Sequence, residues 1–201
     1  MLQKKSHVPE HCVDTSRPIG IYVLFMKVLF SSEQISERIR ELGKQITSDY
    51  RGCELLVIGV LKGGFIFVSD LVRNIGLPLR IEFVRLSSYG CSSSPDTSVK
   101  IYDDTGDVVK GRHILIVDDI MDTGQSITAF KEHLESKGPA SVKICTMINK
   151  KFRRSKDIDP DYSGFTITDG FIVGYGLDFA EDYRALPEIC VLEPGDRRDF
   201  P

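Results

Sequence analysis

Ile114-Leu115-Ile116-Val117-Asp118-Asp119-Ile120-Met121-Asp122-Thr123-Gly124-Gln125-Ser126 decides the fold of this chain. The leading apolar residues Ile114–Val117, mostly β-branched, read as a strand buried on both faces, the pattern of a parallel sheet. Two adjacent carboxylates, Asp118 and Asp119, stand at the C-terminal end of that strand. The turn Asp122–Ser126 then opens a helix with Ile127, Phe130 and Leu134 on one face. In open α/β sheets ligands bind beyond the carboxyl ends of the strands. These residues are therefore expected to line a site.

The turn suits an anion. Gly124 lets backbone approach a ligand closely. Thr123 and Ser126 supply hydroxyl donors beside Gln125, and the helix start offers unpaired N–H groups and the positive end of its dipole. Together they make a phosphate cradle. It is not a Walker loop, because Gly-x-x-x-x-Gly-Lys-Ser/Thr is absent from the sequence. Asp118 and Asp119 are like charges that repel in a cleft. A Mg²⁺ ion or the hydroxyls of a sugar would relieve that repulsion. Asp122 stands beside the cradle, where a general base aimed at a neighbouring reactive group fits. A ribose 5-phosphate donor meets the combined requirement of phosphate, diol and adjacent chemistry.

Three further stretches carry signals. Leu61-Lys62-Gly63-Gly64 follows the apolar strand run Leu55–Val60 and precedes a helix predicted over Phe65–Asn74, so its glycines lie at a strand-to-helix turn open to an anion. Arg85-Leu86-Ser87-Ser88-Tyr89 leads into residues 90–111, rich in Ser, Asp and Gly and longer than an ordinary connection, which favours a lid. Within it, the alternating Ser98–Tyr102 reads as one arm of a hairpin. Phe171-Ile172-Val173-Gly174-Tyr175-Gly176-Leu177-Asp178, with Arg184 after it, has two glycines of a dinucleotide fingerprint. The third glycine and the following helix are missing, so that reading is rejected. Lys150 ends a strand over Val142–Ile148 extended by Asn149, and begins the basic run Lys150–Arg154. That run is short, and a net charge of -3 argues against a nucleic-acid partner.

Val117–Gly124 is similar to the phosphoribosyl pyrophosphate (PRPP) motif of type I phosphoribosyltransferases. The four motifs, in the same order over residues 27–193, resemble the hypoxanthine-guanine branch of that family. The resemblance implies an α/β fold with a mostly parallel central sheet of about five strands flanked by helices, a small hood subdomain and a mobile lid. The lid would span about residues 88–111, with Ser88 and Tyr89 at its start. The hood would form from the N-terminal part and residues 165–193. Asp118 and Asp119 would anchor the ribose hydroxyls, and Thr123, Gly124, Gln125 and Ser126 the 5-phosphate. Leu61, Lys62, Gly63 and Arg184 would hold pyrophosphate, with a cis peptide at Leu61–Lys62. Phe171 would stack on a purine, and Val173 would offer backbone groups to the base edge. Asp178 would lie near a second Mg²⁺ and the purine base, and Asp118 and Asp119 near the first Mg²⁺. Lys150 would donate to a 6-oxo group, which favours hypoxanthine, guanine or xanthine over adenine because an ammonium has donors only.

The implied activity is transfer of 5-phosphoribosyl from PRPP to N9 of a 6-oxopurine, with Asp122 taking a proton from N7 and Mg²⁺ as cofactor. A homodimer or homotetramer in the cytoplasm is implied with it. The competing readings are a regulator that keeps the fold but binds RNA or a repressor partner, and a phosphoribosyltransferase for xanthine. Orotate, uracil or adenine as acceptor is disfavoured by Lys150 and the Phe171–Asp178 motif. Asp118 stands where many of the family have Glu, which shortens the arm of that carboxylate, and Gly170 where many have Lys.

Length of 201 residues suits one α/β domain. Five cysteines, odd in number and without a Cys-x-x-Cys pair, suit free thiols in a reducing compartment. Residues 1–26 fall outside the resemblance. Within them Ile19 to Phe30 begins an apolar run too short to span a bilayer, so no membrane partner is expected. Met26 is a candidate native start. The tail over residues 194–201 is polar.

Overall fold

The computed structural model describes residues 26–88, 99–102, 105–154 and 158–193. In chain order they form β1 (Lys27–Phe30), α1 (Ser32–Asp49), β2 (Leu55–Leu61), α2 (Phe65–Asn74), β3 (Leu79–Ser88), β4 (Val99–Tyr102), β5 (His113–Met121), α3 (Gln125–Glu135), β6 (Ser141–Lys150), β7 (Tyr162–Ile167), β8 (Ile172–Val173) and β9 (Ile189–Val191). A single 3₁₀ turn, Gly106–Val109, precedes β5.

The main sheet has six strands in the order β4-β3-β2-β5-β6-β7. From β3 to β7 all pairings are parallel, and β4 adds antiparallel to Arg85–Ser88, as the alternation of residues 98–102 predicts. The quoted run explains the arrangement. Ile114 and Ile116 enter the core under α3, with Ile127, Phe130 and Leu134, whereas Leu115 and Val117 enter the core under α1 and α2. A strand buried on both faces needs helices on both faces. One difference from the sequence reading bears on the site. The strand does not stop at Val117 but runs on through the carboxylates to Met121. β6 is long enough to supply ladder partners that far, with Thr146 opposite Asp118 and Asn149 opposite Met121.

α1 starts with a capping box, in which the Ser31 hydroxyl accepts from the Gln34 N–H and the Gln34 side chain accepts from the Ser31 N–H. Its stripe Ile35, Ile39, Leu42 and Ile46 is buried. The Arg38 guanidinium reaches across to edge strand β7, donating to the carbonyls of Gly164 and Ser163 at 2.8 Å each. A second, three-stranded antiparallel sheet, β1-β9-β8, joins the two ends of the described chain. Met26 packs on its small core of Val173, Cys190 and Leu192. Among the described residues no helix is long and apolar enough to cross a membrane. Cys53, Cys145 and Cys190 are free thiols.

α1 and α2 touch at Gly43, where a Cβ would fall 2.4 Å from the Asn74 carbonyl oxygen. Gly43→Ala is expected to destabilise the fold by roughly 1–3 kcal/mol, because overpacking outweighs the gain in helix propensity. Urea unfolding measures this, and an unchanged or raised midpoint would contradict the close approach.

Candidate active site

A cavity of about 290 Å³ opens beyond the ends of β2 and β5, lined by Leu61, Gly63, Asp118, Asp119, Asp122, Thr123, Gly124 and Ser126 among others. Cavities of about 490 and 380 Å³ lie elsewhere, the first between α1, α2 and Leu186, the second at the N-terminal edge of the sheet. The smaller cavity is singled out by its chemistry, since it gathers the glycine turns and the carboxylates.

Asp118 and Asp119 are half-buried at the strand end. Burial and the neighbouring Asp119 charge push the Asp118 carboxyl well above the usual carboxylate range. Burial also raises Asp119, opposed by hydrogen bonds from Asp118 and the Ile120 N–H and by the Arg184 charge. An acidic pair so placed favours a cation or hydroxyl donors. No group of three or more His, Cys, Asp or Glu able to hold a metal occurs among the described residues. The acidic pair itself fits Mg²⁺, which is usually held by one or two carboxylates with the remaining oxygens from ligand and water.

The Leu61–Lys62 peptide is cis, as the resemblance implied. The next residue meets the acidic pair directly, because a Cβ at Gly63 would lie 1.7 Å from Asp119 Oδ2. On its other side the loop is covered by Gly176 (φ +97°), whose added Cβ would lie 2.1 Å from the Gly63 carbonyl oxygen. In the Asp122–Ser126 turn, Gly124 takes a left-handed conformation (φ +79°) as the N-cap of α3 and provides no side-chain cap. Thr123 Oγ1 accepts from the Gln125 N–H at 3.4 Å.

Asp122 and Lys150 meet, although one lies after β5 and the other ends β6. Lys150 Nζ lies 4.0 Å from Asp122 Oδ2. It also donates to the Gly170 carbonyl at 3.0 Å and lies 3.4 Å from Asp169 Oδ1. Asp122 Oδ1 is buried with no hydrogen-bond partner among the described residues. Phe171 is exposed, its ring edge-to-face against Phe179 at 5.5 Å. The Val173 side chain is buried and its backbone pairs with Cys190, so any ligand contact there is through the main chain. Arg184 Nη2 lies 2.9 Å from Asp178 Oδ1, and Nη1 donates to the Gly176 carbonyl at 2.8 Å. Ser88 closes β3, while Tyr89 and half of the expected lid, residues 89–98, 103 and 104, lie outside the described residues.

The sequence reading passed over two residues. Arg154 donates to the carbonyls of Asp122 and Met121 at 3.1 Å each, to Lys150 at 3.2 Å, to Asn149 Oδ1 at 2.6 Å and to the Ile158 carbonyl. It ties the Asp122 turn to the end of β6. In sequence it is one cation of a basic run, and nothing there marks it as buried. Glu181 is the other: its Oε2 accepts from Lys62 Nζ at 2.7 Å and lies 3.4 Å from Arg184 Nη2.

The model of the phosphoribosyl transferase domain matches residues 28–180. The chain belongs to the phosphoribosyl transferase family. It is 46% identical over 168 residues to the hypoxanthine-guanine phosphoribosyltransferase of Lactococcus lactis, a match covering 84% of this chain and 91% of that protein. Identity to the Bacillus subtilis protein of the same name is 44%, covering 84% and 93%. A crystal structure of a hypoxanthine phosphoribosyltransferase from Staphylococcus aureus superimposes with a TM-score of 0.85 at 37% identity, covering 91% of this chain and 100% of that one. The family's fold, a mostly parallel sheet with flanking helices, is the fold described above.

The raised acidic pair has a consequence for stability. A carboxyl whose folded-state pKa lies above its unfolded value favours folding at low pH, and that stability is lost as pH rises through the folded value. Asp118→Asn removes one of the two charges. Without divalent cation, the variant is expected to melt above the parent protein at pH 8, with the gap closing toward pH 4. Scanning calorimetry across that range tests it, and a lower melting temperature of the variant at pH 8 would contradict it.

Proposed function

We propose that this protein transfers the 5-phosphoribosyl group of PRPP to N9 of a 6-oxopurine, hypoxanthine or guanine, releasing pyrophosphate and a purine nucleoside 5-monophosphate. The observation that carries the reading is the approach of Lys150 Nζ to within 4.0 Å of Asp122 Oδ2. It puts a donor suited to a 6-oxo group beside a carboxylate suited to the adjacent N7. The family match and the names of its relatives support the reaction class.

In this reading Asp118 and Asp119 accept from the ribose hydroxyls, and Thr123–Ser126 with the first turn of α3 hold the 5-phosphate. The Leu61–Gly63 loop and Arg184 hold the pyrophosphate, where a planar guanidinium suits the anion. Mg²⁺ carried by Asp118 and Asp119, with a second ion near Asp178, would neutralise pyrophosphate charge. Phe171 stacks on the purine, and Val173 presents main-chain groups to the base edge. The C1–pyrophosphate bond weakens with oxocarbenium character as N9 approaches, and Asp122 takes the N7 proton. Much of the acceleration comes from positioning two reactants in a partly dehydrated cleft. Residues 165–193 with β1 act as the hood, and the chain works as a homodimer or homotetramer.

The test is nucleotide formation from PRPP and Mg²⁺ with hypoxanthine, guanine, xanthine, adenine and orotate supplied separately. Turnover is expected with 6-oxopurines only, and turnover with adenine or orotate, or with none of them, would overturn the reading. Asp122→Asn is expected to lower kcat about 100-fold or more while leaving the KM for PRPP within a few-fold. Equal losses in both would rule out the general-base role.

A further inference from the structure

The two cations assigned to pyrophosphate converge on one carboxylate of the protein itself. Glu181 Oε2 accepts from Lys62 Nζ at 2.7 Å, across 119 residues of sequence, and lies 3.4 Å from Arg184 Nη2. The two cations differ in freedom. Arg184 is 19% exposed and is also held by Asp178 and the Gly176 carbonyl. Lys62 is 53% exposed, with Glu181 as its ion-pair partner. The backbone is bent to deliver that carboxylate. Ala180 (φ +52°) and Glu181 (φ +70°) are both left-handed, a region that side-chain-bearing residues rarely adopt. The Glu181 N–H is fastened to Asp178 Oδ2 at 2.9 Å.

An oxygen anion resting on an ammonium and a guanidinium has the chemistry of one end of a pyrophosphate. We infer that Glu181 is a positioning residue that stands in for pyrophosphate, holding Lys62 and Arg184 together in the empty site and leaving them when the ligand arrives. This rests on the phosphoribosyl-transfer reading of the site. Glu181 is 64% exposed, so its carboxylate can swing into solvent, and exposed ion pairs of this kind are weak enough to exchange. Once displaced, it remains as a like charge beside the anion. It therefore sets the affinity for pyrophosphate lower than the two cations alone would give, which favours product release.

The test is calorimetric titration of the full chain with magnesium pyrophosphate, comparing the natural protein with Glu181→Gln and Glu181→Asp. The amide keeps an acceptor for Lys62 and removes the charge. Glu181→Gln is expected to bind about fivefold more tightly, and its KM for PRPP to fall by a similar factor with the KM for the purine unchanged. Glu181→Asp, which retains the charge, is expected to stay near the natural affinity. Equal or weaker binding by Glu181→Gln, while the natural protein binds, would overturn this inference alone. Absence of binding by all three proteins would overturn the phosphoribosyl-transfer reading and this inference with it.

Discussion

No room exists for a methyl group at Gly63, and the site depends on that constraint. One face of this residue touches the Asp119 carboxylate and the other is covered by Gly176. Acidic pair, strand-to-helix loop and the segment before β9 are thus stacked at backbone distance. A side chain at Gly176 would press on the backbone of the loop, and one at Gly63 would displace the Asp119 carboxylate. Cations lie near the stack: the Arg184 charge acts on Asp119, Lys62 pairs with Glu181, and Lys150, Arg153 and Arg154 gather at Asp122.

Much of the fold was legible from local pattern. The alternate burial of Ile114 to Val117 against helices on two faces follows from an apolar run that only a parallel sheet can bury. The boundaries of α2 were likewise legible, as the stretch Phe65–Asn74 after the glycine turn. The end of β5 was not, because carboxylates inside a strand contradict propensity, and only the length of β6 keeps the ladder running past them.

The site was legible where a motif concentrates its residues in one turn, as in Asp118–Ser126. It was illegible where function depends on how distant segments meet. Arg154 looks like surface charge in sequence, yet it is spent almost wholly on carbonyl groups of its neighbours. Glu181 has no motif at all. Its placement comes from left-handed backbone at Ala180 and Glu181, which are not glycines and so give no warning. The roles proposed for Lys62 and Arg184 come only through resemblance, since neither spacing nor burial pattern brings them together.

The hold of Arg38 on β7 has a consequence for how copies of this chain meet. β7 is the last strand on its side of the main sheet, and a bare strand edge invites a foreign strand to pair with it. The guanidinium occupies the carbonyls of Ser163 and Gly164 from a helix anchored in the core. Successive strand carbonyls point to opposite sides, so a neighbouring chain finds the one acceptor of this pair on the free edge already engaged. Along that stretch association is steered away from sheet continuation, the route to open-ended stacking, and toward contacts between side-chain surfaces.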